Sequence, residues 1–176
     1  HVILALQEAV AMTDRFDPAF QHDWESEIAR LKQVCKIQFW DGALWHDDLE
    51  RATTSQLSTA LALRVGCIPE EDQNEQLELI ISRSLDLNDE QGENKIVLAS
   101  PFMHHYLFET LSIFGRQQAI LNIILARWGR WVDQGEVTTW ENWNIDFPDG
   151  SACHAFSAHP RYHIAQTLNQ LSQPHF

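Results

Sequence analysis

The sequence predicts an all-α fold of antiparallel helical hairpins, and three observations predict it. Apolar residues recur at spacings of three and four along most of the chain, glycines and prolines interrupt that pattern at intervals, and no segment reads as a convincing strand. At 176 residues, 44% hydrophobic and 21% charged, the chain has apolar material for one sizeable core, and residues 1–176 are read as part of a single domain.

The elements follow in order. Residues 2–15 place Ile3, Leu6, Val10 and Met12 close to one helical face, and Asp17-Pro18 then supplies a cap with proline at the first helical position. A second helix is expected over 18–37, with Phe20, Trp24, Ile28, Leu31, Val34 and Cys35 on one side and most charges on the other. These two make a hairpin. Residues 39–49, aromatic and acidic with Gly42, have no sustained period and read as a loop. A third helix over 53–65 stops at Gly66, and Pro69 opens a fourth that runs to about Leu85, which makes a second hairpin.

Residues 88–99 are polar and contain Gly92, so they read as a loop with a brief extended piece at 95–98. Ser100-Pro101 looks like a cap and first-turn pair for a helix through Phe114, which Gly115 ends. The next helix, over 116–132, shows an apolar stripe of Ile120, Leu121, Ile124, Leu125, Trp128 and Val132 and closes the third hairpin. Residues 135–150 are too irregular for a long helix and too aromatic for a passive linker, and a last helix covers 157–171. The repeat of roughly 45–50 residues is structural rather than a repeat of sequence.

Charge and cysteine usage narrow the function. With 25 acidic against 12 basic residues the formal charge is −13, which repels phosphate backbones and anionic headgroups, so neither nucleic acid nor a membrane surface is an expected partner. No apolar run approaches the roughly 18–20 residues that span a bilayer, and residues 1–12 carry no targeting signal. Cys35, Cys67 and Cys153 are isolated and odd in number, and read as small buried apolar residues rather than disulfide or zinc partners. No cofactor or metal is expected.

Stacked helical hairpins form either an open solenoid or a closed toroid with an active site at its centre. The long connections carry Trp40, Trp45, His46, Trp140, Glu141, Trp143 and His154. Indole faces stack on the C–H faces of sugar rings, and carboxylates and imidazoles bind sugar hydroxyls, so this mixture favours a carbohydrate cleft.

The stretch Trp128-Gly129, Gly135 and Thr138-Thr139-Trp140-Glu141-Asn142-Trp143 resembles a signature near the end of the catalytic domain of α-L-rhamnosidases, glycoside hydrolase family 78. Three further stretches agree in order: Thr54-x-Gln56 with Ala60-Leu61-Ala62-Leu63 and Gly66; Ser100-Pro101-Phe102 with Glu109-Thr110-Leu111 and Gly115; and Ser151-x-x-His154 with Ser157-Ala158-His159-Pro160. The resemblance runs from about Asp17 to Leu168. It implies a partial (α/α)6 toroid of the six-hairpin glycosidase type, the C-terminal half of the domain, and an inverting hydrolase that releases terminal α-L-rhamnose.

Inversion needs two carboxyl groups about 6.5–9.5 Å apart, one giving a proton to the leaving oxygen and one activating water. The resemblance assigns the water-activating base to Glu141, which Trp140 and Trp143 would partly desolvate, and a sugar contact to His154. Trp140, Trp45, Trp40 and Phe102 are expected to line the sugar pocket. The acid lies upstream of the matched region in this family; Asp41, Asp47 and Asp48 resemble a later loop and do not replace it. The chain alone is therefore expected to be inactive, and a half-toroid to associate with itself or with the missing N-terminal half. Its start at His1, already inside a helix, reads as a fragment or a trimmed terminus.

Other residues have plainer readings. His104 and His105 are adjacent on a helix, point about 100° apart and so do not bind one ion from that face. Trp128 is expected in the core and Trp131 in core or rim. The acidic run over 70–78 is a solvated helix start, and Ser151 and Ser157 lack the strand-turn-helix elbow of a serine hydrolase. The alternative function is a non-catalytic helical-repeat module that binds carbohydrate or protein, in which the same aromatics only pack.

Overall fold

The structure, a computed structural model, describes residues 1–16, 21–88, 96–144 and 150–172. Among the described residues it contains seven α-helices: α1 (Val2–Phe16), α2 (Gln21–Phe39), α3 (Gln56–Val65), α4 (Glu70–Leu85), α5 (His104–Ile113), α6 (Gln117–Asp133) and α7 (Pro160–Leu171). The helices hold more than half of the chain, and the strand pairing among the described residues is confined to two isolated bridges. Successive helices pair as α1/α2, α3/α4 and α5/α6, with α3, α5 and α7 adjoining in one row and α4 and α6 in another. That arrangement is the all-α hairpin fold expected from the periodicity.

Local chemistry explains the boundaries. The cap expected at Asp17-Pro18 lies outside the described residues, as does Phe20. α2 continues to Phe39, and the guanidinium of Arg51 donates to the last-turn carbonyls of Ile37 (3.1 Å) and Gln38 (3.3 Å). α3 starts three residues later than its apolar pattern, because Ser55 caps it from an extended conformation. Thr54 and Gln56 meanwhile bond to Val97, the 95–98 piece described from Ile96 onward. Gly66 ends α3 at φ 74°, where the Cys67 N–H reaches the Ala62 carbonyl (2.9 Å) and a side chain at 66 would meet the left-handed penalty.

α5 begins at His104 rather than at Pro101, since residues 101–103 form a turn and the Ser100 carbonyl accepts the His104 N–H (3.1 Å). The last helix likewise begins at Pro160, after a 3-10 turn over Ala155–Ala158.

The stripe of α6 needs correction. Leu125 and Val132 are 72% and 73% exposed, whereas Ile123, Arg127 and Trp131 are buried beside Ile120, Ile124 and Trp128. The inward face is rotated because α4 offers it a row of carbonyls as well as apolar surface. Arg127 donates to the carbonyls of Ser84 (2.6 Å) and Asp86 (2.9 Å), at the end of α4, and lies over the Trp143 ring with its guanidinium carbon 5.0 Å from the centroid. Of the cysteines only Cys67 is buried; Cys35 is half-buried and Cys153 exposed, and all three are free thiols. Cys153 lies in an irregular segment where no helix packs over it.

Gln56, fully buried, completes the same junction. Its amide donates to the Ile80 carbonyl (2.7 Å) and Ser84 Oγ (2.8 Å) while its carbonyl accepts the Ala99 N–H (2.8 Å), so α3, α4 and the segment before α5 meet on one side chain. No helix among the described residues is long and apolar enough to cross a membrane.

Replacing Arg127 by Met keeps the buried stem and strips the donors from the α4 carbonyls. Urea unfolding is expected to show a loss of about 3 kcal/mol, from charged hydrogen bonds and stranded acceptors together, and Arg127→Lys to restore less than half of it because an ammonium cannot span the same carbonyls.

Candidate functional site

Glu141 and His154 come together because the chain beyond α6 doubles back on itself. α6 ends in a turn at Gly135, φ 80°, where the Glu136 N–H returns to the Trp131 carbonyl (2.9 Å). The segment that follows is held to the one before α7 by paired hydrogen bonds. The Glu141 N–H donates to the Ser151 carbonyl (2.9 Å), and the Ser151 N–H donates to Oε2 of Glu141 (3.1 Å). The His154 N–H donates to the Thr139 carbonyl, and the Thr139 hydroxyl to the His154 carbonyl, each at 2.7 Å. Thr138 adds a bond to the Ala152 carbonyl (2.5 Å). Backbone and carboxylate of Glu141 are thus fixed by the same neighbour, and both Glu141 and His154 remain half-buried.

The segment is anchored by its tryptophans. Trp140, between Thr139 and Glu141, turns inward onto Trp131 with ring centroids 5.2 Å apart. Its indole N–H has no hydrogen-bond partner among the described residues. Trp143 lies edge-on to Trp128 (4.8 Å) and His104 (5.0 Å) and donates its N–H to the Ala99 carbonyl (2.7 Å). Trp128 donates to the Ser157 carbonyl (2.9 Å). A cleft of about 380 Å³ adjoins this region, lined by Trp128, Trp131, Val137, Thr139, Cys153 and His154, with Glu136 bringing a carboxylate to it.

The remaining expected residues are placed as follows. Phe102 is half-buried and stacks on Phe156 (5.4 Å), which in turn meets His154 (5.7 Å), so an aromatic path joins Phe102 to the imidazole. Trp40 and Trp45 belong to the turn after α2, where they form an antiparallel bridge. Trp40 is half-buried; Trp45 is 7% exposed and packs against Phe39. Trp140 is 6% exposed.

Asp41 shapes that turn. Its carboxylate accepts the N–H groups of Ala43 (2.8 Å) and Leu44 (2.7 Å) and pairs with His46 Nε2 (2.8 Å). The His46 hydrogen bond, followed by that of Leu44, holds the Asp41 carboxyl at about 2. Asp48 binds the N–H groups of Ala52 and Thr53, and Asp47 the Ser55 N–H and the hydroxyls of Ser55 and Ser58. All three carboxylates serve loop geometry.

Residue-by-residue reading missed a cluster of three imidazoles, His105, His159 and His163. A signal existed: His159 and His163 stand four apart at the start of α7, a spacing that puts both on one helical face. His105 reaches them across the α5/α7 contact, which no local spacing reveals.

The sequence profile of the bacterial alpha-L-rhamnosidase 6 hairpin glycosidase domain matches residues 2–168. No curated protein matches the chain. Among solved structures the fold superposes on a glycoside hydrolase family 78 rhamnosidase of Bacillus sp. GL1 with a TM-score of 0.73, at 20% identity, covering 94% of this chain and 18% of that one. At that identity the likeness is one of fold, and the chain spans less than a fifth of that protein's length.

The Asp41–His46 pair has a measurable signature. A carboxyl lowered in the folded state stabilises the turn above the unfolded value near 3.8 and loses that contribution as pH falls through about 2. A carboxyl-carbon NMR titration is expected to place Asp41 near 2, and His46→Gln to move the midpoint upward with the fold intact; a midpoint unchanged by His46→Gln contradicts the assignment.

Proposed function

The chain belongs to the bacterial alpha-L-rhamnosidase six-hairpin glycosidase family, and on that premise we propose that it supplies the water-activating side of an inverting glycoside hydrolase centre for terminal α-L-rhamnose. The observation that carries this reading is the reciprocal bonding of Glu141 to Ser151. A general base must present a fixed carboxylate to a water molecule, and here one oxygen is anchored by a backbone N–H while the half-buried side chain keeps its other oxygen for that water.

His154, tied to the same ladder and lining the adjoining cleft, binds a sugar hydroxyl in this proposal. In this proposal Trp140, Trp45, Trp40 and Phe102 line the sugar pocket; Trp40 and Phe102 are half-buried, Trp45 and Trp140 buried, and none of the four borders the cleft of His154. Residues 1–176 then constitute the C-terminal portion of one (α/α)6 toroid. Six hairpins of this size need about 350 residues or more, and the proton donor comes from the other portion. Without it, water activation has no protonated leaving group to act with, so the chain by itself is inactive toward glycosides.

The test uses the full-length protein. Glu141→Gln preserves size and the bond from Ser151 but removes the base, and turnover of an aryl α-L-rhamnoside is expected to fall roughly 10²–10⁴-fold with an unchanged circular dichroism spectrum. His154→Ala is expected to lower kcat/KM by less. Full activity in folded Glu141→Gln rejects the base assignment, and a first-formed sugar of retained anomeric configuration, followed by NMR, rejects inversion.

A further inference from the structure

Outside the proposed sugar site, His105 in the first turn of α5, His159 at the cap of α7 and His163 in its first turn each offer a ring nitrogen, and these nitrogens lie within 4.8 Å of one another. His105 Nδ1 and His163 Nε2 are 3.0 Å apart. His159 Nε2 lies 2.8 Å from the Pro101 carbonyl. A carbonyl only accepts, so that nitrogen carries the proton and Nδ1 presents a bare lone pair, which is buried and without a hydrogen-bond partner among the described residues. An imidazole oriented by a backbone carbonyl through one nitrogen and free at the other is the usual form of a metal-ligating histidine.

We propose that His105, His159 and His163 form a binding site for a divalent transition metal of the zinc class, which clips α5 to the start of α7.

Three imidazole ligands on one zinc ion, each about 2.0–2.1 Å from the metal, stand about 3.4 Å apart. Two of these nitrogens are already closer than that, and a shift on the order of 1 Å in one ring brings in the third. The proton between His105 and His163 moves to the far nitrogen of the ring that holds it, a change of tautomer with no net loss. The cluster is wholly imidazole, which suits zinc, cobalt, nickel or copper rather than calcium or magnesium. The formal charge of −13 draws cations to the molecule. Phe108 packs edge-on against both His159 (5.7 Å) and His163 (5.1 Å) and walls the site from one side, and water takes the fourth position. The site departs from the sequence reading, which expected no metal and judged His105 only against its neighbour His104.

The metal-stripped chain is titrated with zinc sulfate against a chromophoric chelator, and separately with cobalt for its absorption spectrum. One equivalent of zinc is expected, with a rise in Tm and a cobalt spectrum free of thiolate charge transfer. Loss of an outer-sphere partner alone typically costs 10–100-fold in affinity, so His105→Gln and His163→Gln are each expected to weaken zinc by about 100-fold or more. Cys153→Ser is expected to bind as the parent does, since the thiols of Cys35, Cys67 and Cys153 are the competing ligands. His105 is only half-buried, so its variant decides the matter if His163→Gln fails to fold. No zinc uptake, a thiolate band in the bound cobalt, or unchanged affinity in folded His105→Gln overturns the proposal and leaves a hydrogen-bonded histidine pair.

Discussion

A helix leaves its last four carbonyl groups without intrahelical donors, and water usually satisfies them. Near the end of α4, Arg83 and Ser84 are buried, and an unpaired carbonyl there would cost as much as a lost hydrogen bond. Arg127 serves the carbonyls of Ser84 and Asp86 from α6, while Gln56 from α3 adds a second donor to the Ile80 carbonyl one turn earlier. Arg83, within α4, reaches the Ile96 carbonyl and ties down the segment leading to α5. The register of α3 and α6 against α4 follows from these bonds, since sliding either of them by one turn would strand a charged or amide donor in an apolar interior.

The same junction sets the frame for Glu141. Arg127 lies over the Trp143 ring, Trp143 bonds to Ala99 beside the Gln56 amide bond, and Trp128 fastens the 3-10 turn before α7. The segment of Glu141 and His154 is therefore attached to rigid elements at both of its sides, although its described residues between α6 and the 3-10 turn form neither helix nor strand. Placing the proposed base on an irregular segment leaves its backbone free to adopt the path that these bonds require. The tryptophans supply the stiffness that such a segment lacks.

Much of this fold was legible because its punctuation is local. Gly66, Pro69 and Gly115 act through their own backbone preferences, and the helices stop and start beside them. Motif order singles out Glu141 and His154, and the structure ties these residues, 13 positions apart, onto one ladder. The rotation of α6 was not legible. An apolar stripe chosen by hydrophobicity takes Leu125 and Val132 and passes over Arg127, whose burial makes sense only once the carbonyls of α4 are seen opposite it. Cys153 was misread for a similar reason: cysteine is commonly buried, yet a residue in an irregular surface segment has nothing to be buried under. The three-histidine cluster escaped because its third member comes from another helix.

α2 has no fully buried residue, and it meets the rest of the chain through half-buried side chains such as Ile28, Leu31 and Cys35. α3 to α7, by contrast, close around Phe108, Leu107, Leu111 and Ile123. Such an uneven distribution divides the molecule into units that open at different free energies. The backbone amides of α2 would exchange with solvent deuterium through a local opening that leaves the Phe108 core protected, whereas those of α5 would wait for global unfolding. Such a local opening of α2 would leave the ladder of Glu141 and His154, which is fastened to α6 and to the segment before α5, in its geometry.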